Sequence, residues 1–108
     1  MKKVTYKPKD ELFKGEVEIH LPSARQRLRY LKECSFKAND EGAISTLENV
    51  DAMEAMFTVA EKHVKKVTLK HTEGGAYKTF KQMSEDAYCD DICQEIIQVV
   101  LEGKLGEG

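Results

Sequence analysis

A chain of 108 residues, 41% hydrophobic and 33% charged, can bury one ordinary core, since typical domains hold about 100–150 residues. It has no apolar run near the ~18 residues of a membrane span, and its basic N-terminus lacks the apolar segment of a signal peptide. We therefore predict one α+β domain over residues 1–103, a flexible tail over 104–108, and a cytoplasmic location.

The net charge of −2 conceals four blocks of alternating sign. Residues 1–37 carry ten bases and five acids, 38–61 six acids and no base, 62–81 six bases and one acid, and 82–108 seven acids and one base. Blocks of opposite sign can attract one another within a fold or between subunits. Neither basic block is basic or aromatic enough to make nucleic acid the expected partner.

The N-terminal region predicts two strands. Residues 3–7 and 15–21 alternate apolar and polar side chains, which is the period of a half-buried strand. Pro8, Lys9 and Asp10 between them are typical of a turn, so the two strands can form a hairpin.

A helix is predicted to follow, with Ser23 as its N-cap. Its inner face is predicted from apolar residues at helical spacing: Leu21, Ala24, Leu28 and Leu31. Much of the remaining surface is basic through Arg25, Arg27 and Arg29. These arginines either grip an acidic partner or phosphates, or form a solvated helix face. Residues 38–42 break the pattern and predict a loop.

The second helix has the clearest periodicity. Its apolar residues are spaced 3, 4, 3 and 4 apart: Val50, Met53, Phe57, Ala60 and Val64. Met56 and Val59 widen this stripe. A methionine beside the main stripe can either pack in the core or provide an adaptable contact surface, and we include Met56 among the candidate partner-binding residues.

A basic strand over 64–70, a turn at 72–75 and a returning strand over 76–80 predict a second hairpin. Together with the N-terminal strands this predicts a small, mainly antiparallel sheet accompanied by about three helices.

Residues 84–86 are predicted to begin the last helix or a short turn leading into it, and Gly103 is predicted to end the helix. It is apolar over more than half its circumference, so it is either deeply packed or buried against another subunit. Its candidate residues for partner binding or self-association are Ile96, Ile97, Val100 and Leu101.

The sequence carries no phosphate loop, nucleophile elbow, dinucleotide fingerprint or metal-ligand spacing. The paired acids at 85–86 and 90–91 are explained by the dipole of a helix start. Cys34, Cys89 and Cys93 are predicted to be buried free thiols. We therefore expect no enzyme activity, no cofactor and no metal.

Two segments resemble a known family. The run Leu21-Pro22-Ser23-Ala24-Arg25-Gln26-Arg27-Leu28, entered from a strand, resembles the opening of the tail assembly chaperones of long-tailed, siphovirus-type bacteriophages. The ending is also similar, with residues 79–86 leading to an apolar helix over 92–101 and then Glu102-Gly103-Lys104. The resemblance covers nearly the whole chain as an order of elements.

The resemblance implies a protein made in the host cytoplasm that binds the tape measure protein and tail tube subunits and is absent from the mature virion. It also implies self-association into a homo-oligomer, and a longer product of ribosomal frameshifting near Glu102-Gly103-Lys104. We expect neither nucleic acid nor a membrane as a partner. The alternative is a small nucleic-acid-binding or regulatory protein that uses the basic helix 23–33 and strand 64–70.

Overall fold

The computed structural model describes residues 2–39 and 50–105. The elements run in the order β1 (Lys3–Tyr6), β2 (Phe13–Lys14), β3 (Val17–His20), α1 (Ala24–Asn39), α2 (Val50–His63), β4 (Val64–Val67), β5 (Lys70–His71), β6 (Gly75–Ala76), α3 (Phe80–Ser84), a 3-10 turn (Ala87–Cys89) and α4 (Asp90–Glu102). The predicted loop at 38–42 lies partly outside the described residues, as does the end of the tail.

The α+β class is confirmed. Over the described residues, three long helices accompany two antiparallel sheets of three strands each, in the orders β1-β3-β4 and β2-β5-β6. The N-terminal hairpin is confirmed as β1 paired with β3. Strand β2 was not predicted, and it pairs with β5 to join the two predicted hairpins.

The predicted returning strand over 76–80 is wrong beyond its first residue. β6 ends at Ala76, and Phe80 begins the short helix α3. The cause is local, because the Thr79 hydroxyl accepts a hydrogen bond from the Gln82 backbone and caps the helix. The Phe80 side chain is buried in the core.

The core forms around β3 and α4. Val17 and Ile19 of β3 and Ile96 and Val100 of α4 have no exposed surface. α4 packs on α1, α2 and α3, which explains why its sequence is apolar over so much of its circumference. Within residues 2–39 and 50–105 no helix is both long and apolar enough to cross a membrane.

Gly15 lies where the two sheets join. Its φ is +99°, and a Cβ atom there would overlap the backbone carbonyl of Thr68. The Thr68 backbone N–H in turn donates to the Glu16 carbonyl at 3.0 Å. This close approach of two backbones therefore requires glycine.

We predict that Gly15→Ala lowers the free energy of unfolding by on the order of 3 kcal/mol, through left-handed strain plus overlap with Thr68. Gly75→Ala is the matched control, because Gly75 has φ +102° but open space around its Cα. Gly75→Ala should lower the free energy of unfolding by only about 1–2 kcal/mol, because it introduces backbone strain without an overlap. Equal losses in urea unfolding of the two variants would contradict the steric account.

Candidate partner-binding surface

α1 is held in place by a buried histidine. His63, at the end of α2, is 4% exposed, and its Nδ1–H donates to the His20 carbonyl at 2.8 Å. Its Nε2 is therefore an acceptor, and the Tyr30 hydroxyl of α1 donates to it at 2.9 Å. This chain of hydrogen bonds joins α1, α2 and β3.

The orientation that Tyr30 imposes on α1 corrects the predicted inner face. Leu21 is buried as predicted, but Ala24 is exposed, and Leu28 and Leu31 are 53% and 45% exposed. The inward side of α1 instead includes Tyr30 and Cys34. We call Ala24, Leu28 and Leu31 the leucine stripe. They are spaced four and three residues apart, so they line one side of the helix that the fold leaves open.

An open groove of about 790 Å³ lies between α1 and α4. We call it the α1–α4 groove. It is lined by Arg27, Leu31, Gln94, Ile97, Gln98, Leu101, Glu102 and Lys104. Its apolar lining comes from one leucine-stripe residue and two α4 residues, and its rim carries charges of both signs. An apolar channel with a polar rim is the general form of a groove that accepts an amphipathic helix.

The three arginines have different surroundings. Arg25 and Arg29 are exposed on α1, whereas Arg27 is half-buried and donates to the Pro22 carbonyl at 3.1 Å. The Arg27 guanidinium also lies against Gly103, the left-handed C-cap of α4. A cation at this position complements the negative end of the α4 dipole. Arg27 thus connects α1 to α4, and only Arg25 and Arg29 are fully available to a partner.

The candidate residues of α4 are mostly inside the protein. Ile96 and Val100 have no exposed surface and Ile97 is 5% exposed, because they face the core against the other helices. A partner cannot reach Ile96 or Val100 in this fold, so both are removed from the candidate surface. Ile97 and the half-buried Leu101 remain, since both line the α1–α4 groove.

Met56 does not belong to this groove. It is half-buried and packs against the hydrophobic core from α2. Its neighbour Phe57 is also half-buried and lies 6.1 Å from the Phe80 ring, between ring centroids. Met56 is therefore a partly exposed core residue, away from the α1–α4 groove.

A second cluster is basic. Lys65, Lys66, Lys78 and Lys81 line a smaller groove of about 250 Å³ beside β4, together with Glu61. No ion pair within 4.0 Å involves these lysines in the described ranges. Among the residues whose side chains the structure describes, none from α1 lines this groove, so the two basic regions of the alternative interpretation do not meet there.

Sequence reasoning missed a cluster around His71, which is 3% exposed. Its ring stacks on Tyr88 at 4.5 Å and meets the edge of Phe13 at 4.6 Å. Its Nδ1 accepts the backbone N–H groups of Glu73 and Gly74, both at 3.0 Å. These bonds support the turn between β5 and β6. The pairing of β2 with β5 places Phe13 beside His71, and the 3-10 turn before α4 supplies Tyr88.

Asp86 and Tyr77 continue this cluster. The Tyr77 hydroxyl donates to Asp86 Oδ2 at 2.6 Å, and this bond lowers the pKa of Asp86. The same side chain caps the 3-10 turn by accepting the Tyr88 backbone N–H at 3.0 Å. The acidic residue at position 86 is thus explained by capping.

The three cysteines are buried thiols, as predicted. Burial raises the pKa of Cys89, and it raises that of Cys93 to about 12, so both stay protonated at neutral pH. Over the described part of the chain, no group of three or more His, Cys, Asp or Glu residues is arranged to hold a metal ion.

The His63 link predicts a pH dependence of stability. Burial lowers the pKa of His63 in the folded protein, so the unfolded chain binds more protons once the pH falls below about 6.5. Stability contributed by neutral His63 is therefore present above that pH and is lost as the pH falls toward the folded pKa. We expect the free energy of unfolding to decrease between about pH 7.5 and about pH 5.

His63→Asn tests this, since the asparagine amide can still donate to the His20 carbonyl but does not titrate. The variant loses the hydrogen bond to Tyr30, so its free energy of unfolding at neutral pH should be about 1 kcal/mol lower than that of the wild type. Its free energy of unfolding should also depend less on pH. Urea unfolding at several pH values measures both quantities. Identical pH profiles would show that a group other than His63 controls the effect.

The α1–α4 groove and the leucine stripe are the candidate functional surface of this fold. Comparison of the chain with protein-family models, with curated proteins and with solved structures finds no match. The interpretation of the surface therefore depends on its own geometry and chemistry.

Proposed function

We propose that this chain is a non-enzymatic tail assembly chaperone of a long-tailed bacteriophage. In this proposal it acts in the host cytoplasm, binds the tape measure protein and tail tube subunits, self-associates, and is absent from the mature virion. The order of elements that resembles this family supports the proposal. A longer frameshifted product belongs to the same proposal, and a slippery run in the nucleotide sequence near codons 102–104 would support it.

The observation that carries the proposal is the exposure of Leu28 and Leu31 beside an open groove. Fully burying a leucine side chain is favourable by roughly 1.5–3 kcal/mol, so a partner that covers both gains substantial binding energy. The two side chains are 53% and 45% exposed, so the fold leaves about half of this energy available to a partner. A surface that offers it to another chain suits a protein whose work is reversible binding.

The proposed occupant of the α1–α4 groove is an amphipathic helix of the tape measure protein. Such a helix would place apolar residues against Leu31, Ile97 and Leu101 and polar residues along the rim. While bound, its apolar surface would be hidden from water and from other copies. Replacement by tube subunits would then release the chaperone.

Charge supplies the second part of the recognition. Arg25 and Arg29 lie exposed on α1 beyond the leucine stripe, where they can attract an acidic flank of the partner. Contacts at an exposed rim are screened by salt, so they influence the association rate and its salt dependence more than the final affinity.

We predict that Leu28→Glu together with Leu31→Glu weakens binding of the tape measure protein at least about tenfold, because the apolar contact is lost and charge is introduced. Leu12→Glu is the matched control, since Leu12 is 48% exposed but lies outside the groove and stripe. Co-purification and calorimetric titration with the tape measure protein measure the effect. Unchanged binding by the double variant, with the fold intact by circular dichroism, would refute this site.

The second candidate function, nucleic-acid binding, has one observation in its favour. Lys65, Lys66, Lys78 and Lys81 surround one groove without ion-pair partners in the described ranges. A mobility-shift titration distinguishes the two functions. Binding of duplex or single-stranded nucleic acid that is lost when these lysines become glutamine would favour the second.

A further inference from the structure

β1 is an end strand whose outer edge is regular. It pairs with β3 without interruption, Lys3 opposite His20 through Tyr6 opposite Val17. The Leu21 N–H donates to the Lys2 carbonyl at 2.7 Å, which marks residues 2 and 21 as a hydrogen-bonded pair. Hydrogen-bonded and non-hydrogen-bonded pairs alternate along an antiparallel pair of strands, so the backbone groups of Val4 and Tyr6 also bond to β3. The N–H and C=O groups of Lys3 and Thr5 therefore point to the open edge.

The opposite end of the same sheet is different. β4 meets β3 with a bulge at Glu18 and Ile19, and two exposed lysines, Lys65 and Lys66, stand in the strand. Bulges and lysines are the usual devices that prevent an end strand from pairing with another chain. β1 carries an exposed lysine too, but its pairing has no bulge. Of the two edges, β1 is the one with the geometry to accept another strand.

A groove of about 900 Å³ runs between β1 and α4, which we call the β1–α4 groove. It is lined by Thr5, Tyr6, Lys7, Lys9, Glu95, Gln98, Val99, Glu102, Lys104 and Leu105. The Tyr6 hydroxyl donates to Glu95, which connects the strand to the helix wall. An end strand facing a helix across a groove is the arrangement in which peptide-binding domains take up an extended peptide.

The charges of this groove select the occupant. Both of its carboxylates already accept hydrogen bonds, Glu95 from Tyr6 and Glu102 from Gln98 at 3.0 Å. Lys9 and Lys104 make no ion pair within 4.0 Å among residues 2–39 and 50–105. Lys7 has only a long, exposed pair with Glu16 at 3.9 Å. The three lysines outnumber the two glutamates, so the lining carries a net charge of +1, and none of these lysines forms an ion pair with either glutamate among residues 2–39 and 50–105.

We propose that the open edge of β1 binds an acidic, extended segment of a partner polypeptide as an added antiparallel or parallel strand in the β1–α4 groove. The backbone groups of Lys3 and Thr5 would pair with the segment, and Lys7, Lys9 and Lys104 would attract its acidic side chains. Alternate apolar side chains of the segment would face Val99 and Leu105. This site shares Gln98, Glu102 and Lys104 with the α1–α4 groove, but the edge of β1 belongs to it alone. The inference does not depend on the chaperone function.

The test uses fluorescence anisotropy with a labelled peptide of about seven residues that alternates glutamate and valine. We expect saturable binding to the full chain, and none of a peptide that alternates lysine and valine. Thr5→Pro removes a backbone N–H that points to the open edge, without breaking a bond to β3, and should weaken binding at least about tenfold. Thr5→Val is the matched control and should bind like the wild type.

A second measurement needs no variant and so does not depend on whether Thr5→Pro folds. Methylating the odd-numbered backbone nitrogens of the peptide blocks one of its edges, and methylating the even-numbered ones blocks the other. Strand addition requires that one of these two peptides loses binding and the other keeps it. No binding of the unmodified peptide, or equal binding of both methylated peptides, would overturn the proposal. Equal binding would mean that the lysines act as a simple charged surface.

Discussion

The hydrogen bonds of His63 are the constraint on which the exposed surface depends. They join the end of α2 to the end of β3 and, through Tyr30, to α1. With Tyr30 directed inward, the geometry of a helix places Leu28 and Leu31 toward solvent. One polar contact inside the protein thereby determines which apolar side chains are available outside it. Burial lowers the pKa of His63 and so favours the neutral imidazole, which couples this contact to the protonation state of His63.

α4 has two roles that come from its two faces. Its apolar face fills the core, and its polar face forms a wall of both grooves, since Gln98 and Glu102 line each of them, as does Lys104 just after the helix. Arg27 and Tyr6 attach this helix to α1 and to β1 at the two sides. The helix therefore separates two surfaces with different chemistry. One is a groove with three apolar residues and a polar rim, and the other is a strand edge beside three lysines.

The candidate surface could be predicted only in part. The apolar spacing of Ala24, Leu28 and Leu31 was visible in the sequence, but periodicity says which residues share a side of a helix and not which side faces the core. The Tyr30 hydroxyl bonds to the buried His63, which turns the Tyr30 side of α1 inward. The side that carries the regularly spaced apolar residues therefore faces outward. For α4 the periodicity was sufficient to identify an apolar face. Whether that face met the core or a second subunit required the packed structure.

The sequence by itself determined the α+β class, the two N-terminal strands, the long helices and the buried cysteines, because each follows from local periodicity or from the low polarity of a side chain. It allowed the β1–β3 pairing, which the structure then established. Tertiary structure alone decided which face of α1 is open, where β2 pairs, and how Phe13 and Tyr88 enclose His71. These features depend on contacts between residues far apart in the chain. No local pattern encodes them, since the partner of each group is chosen only when the elements pack together.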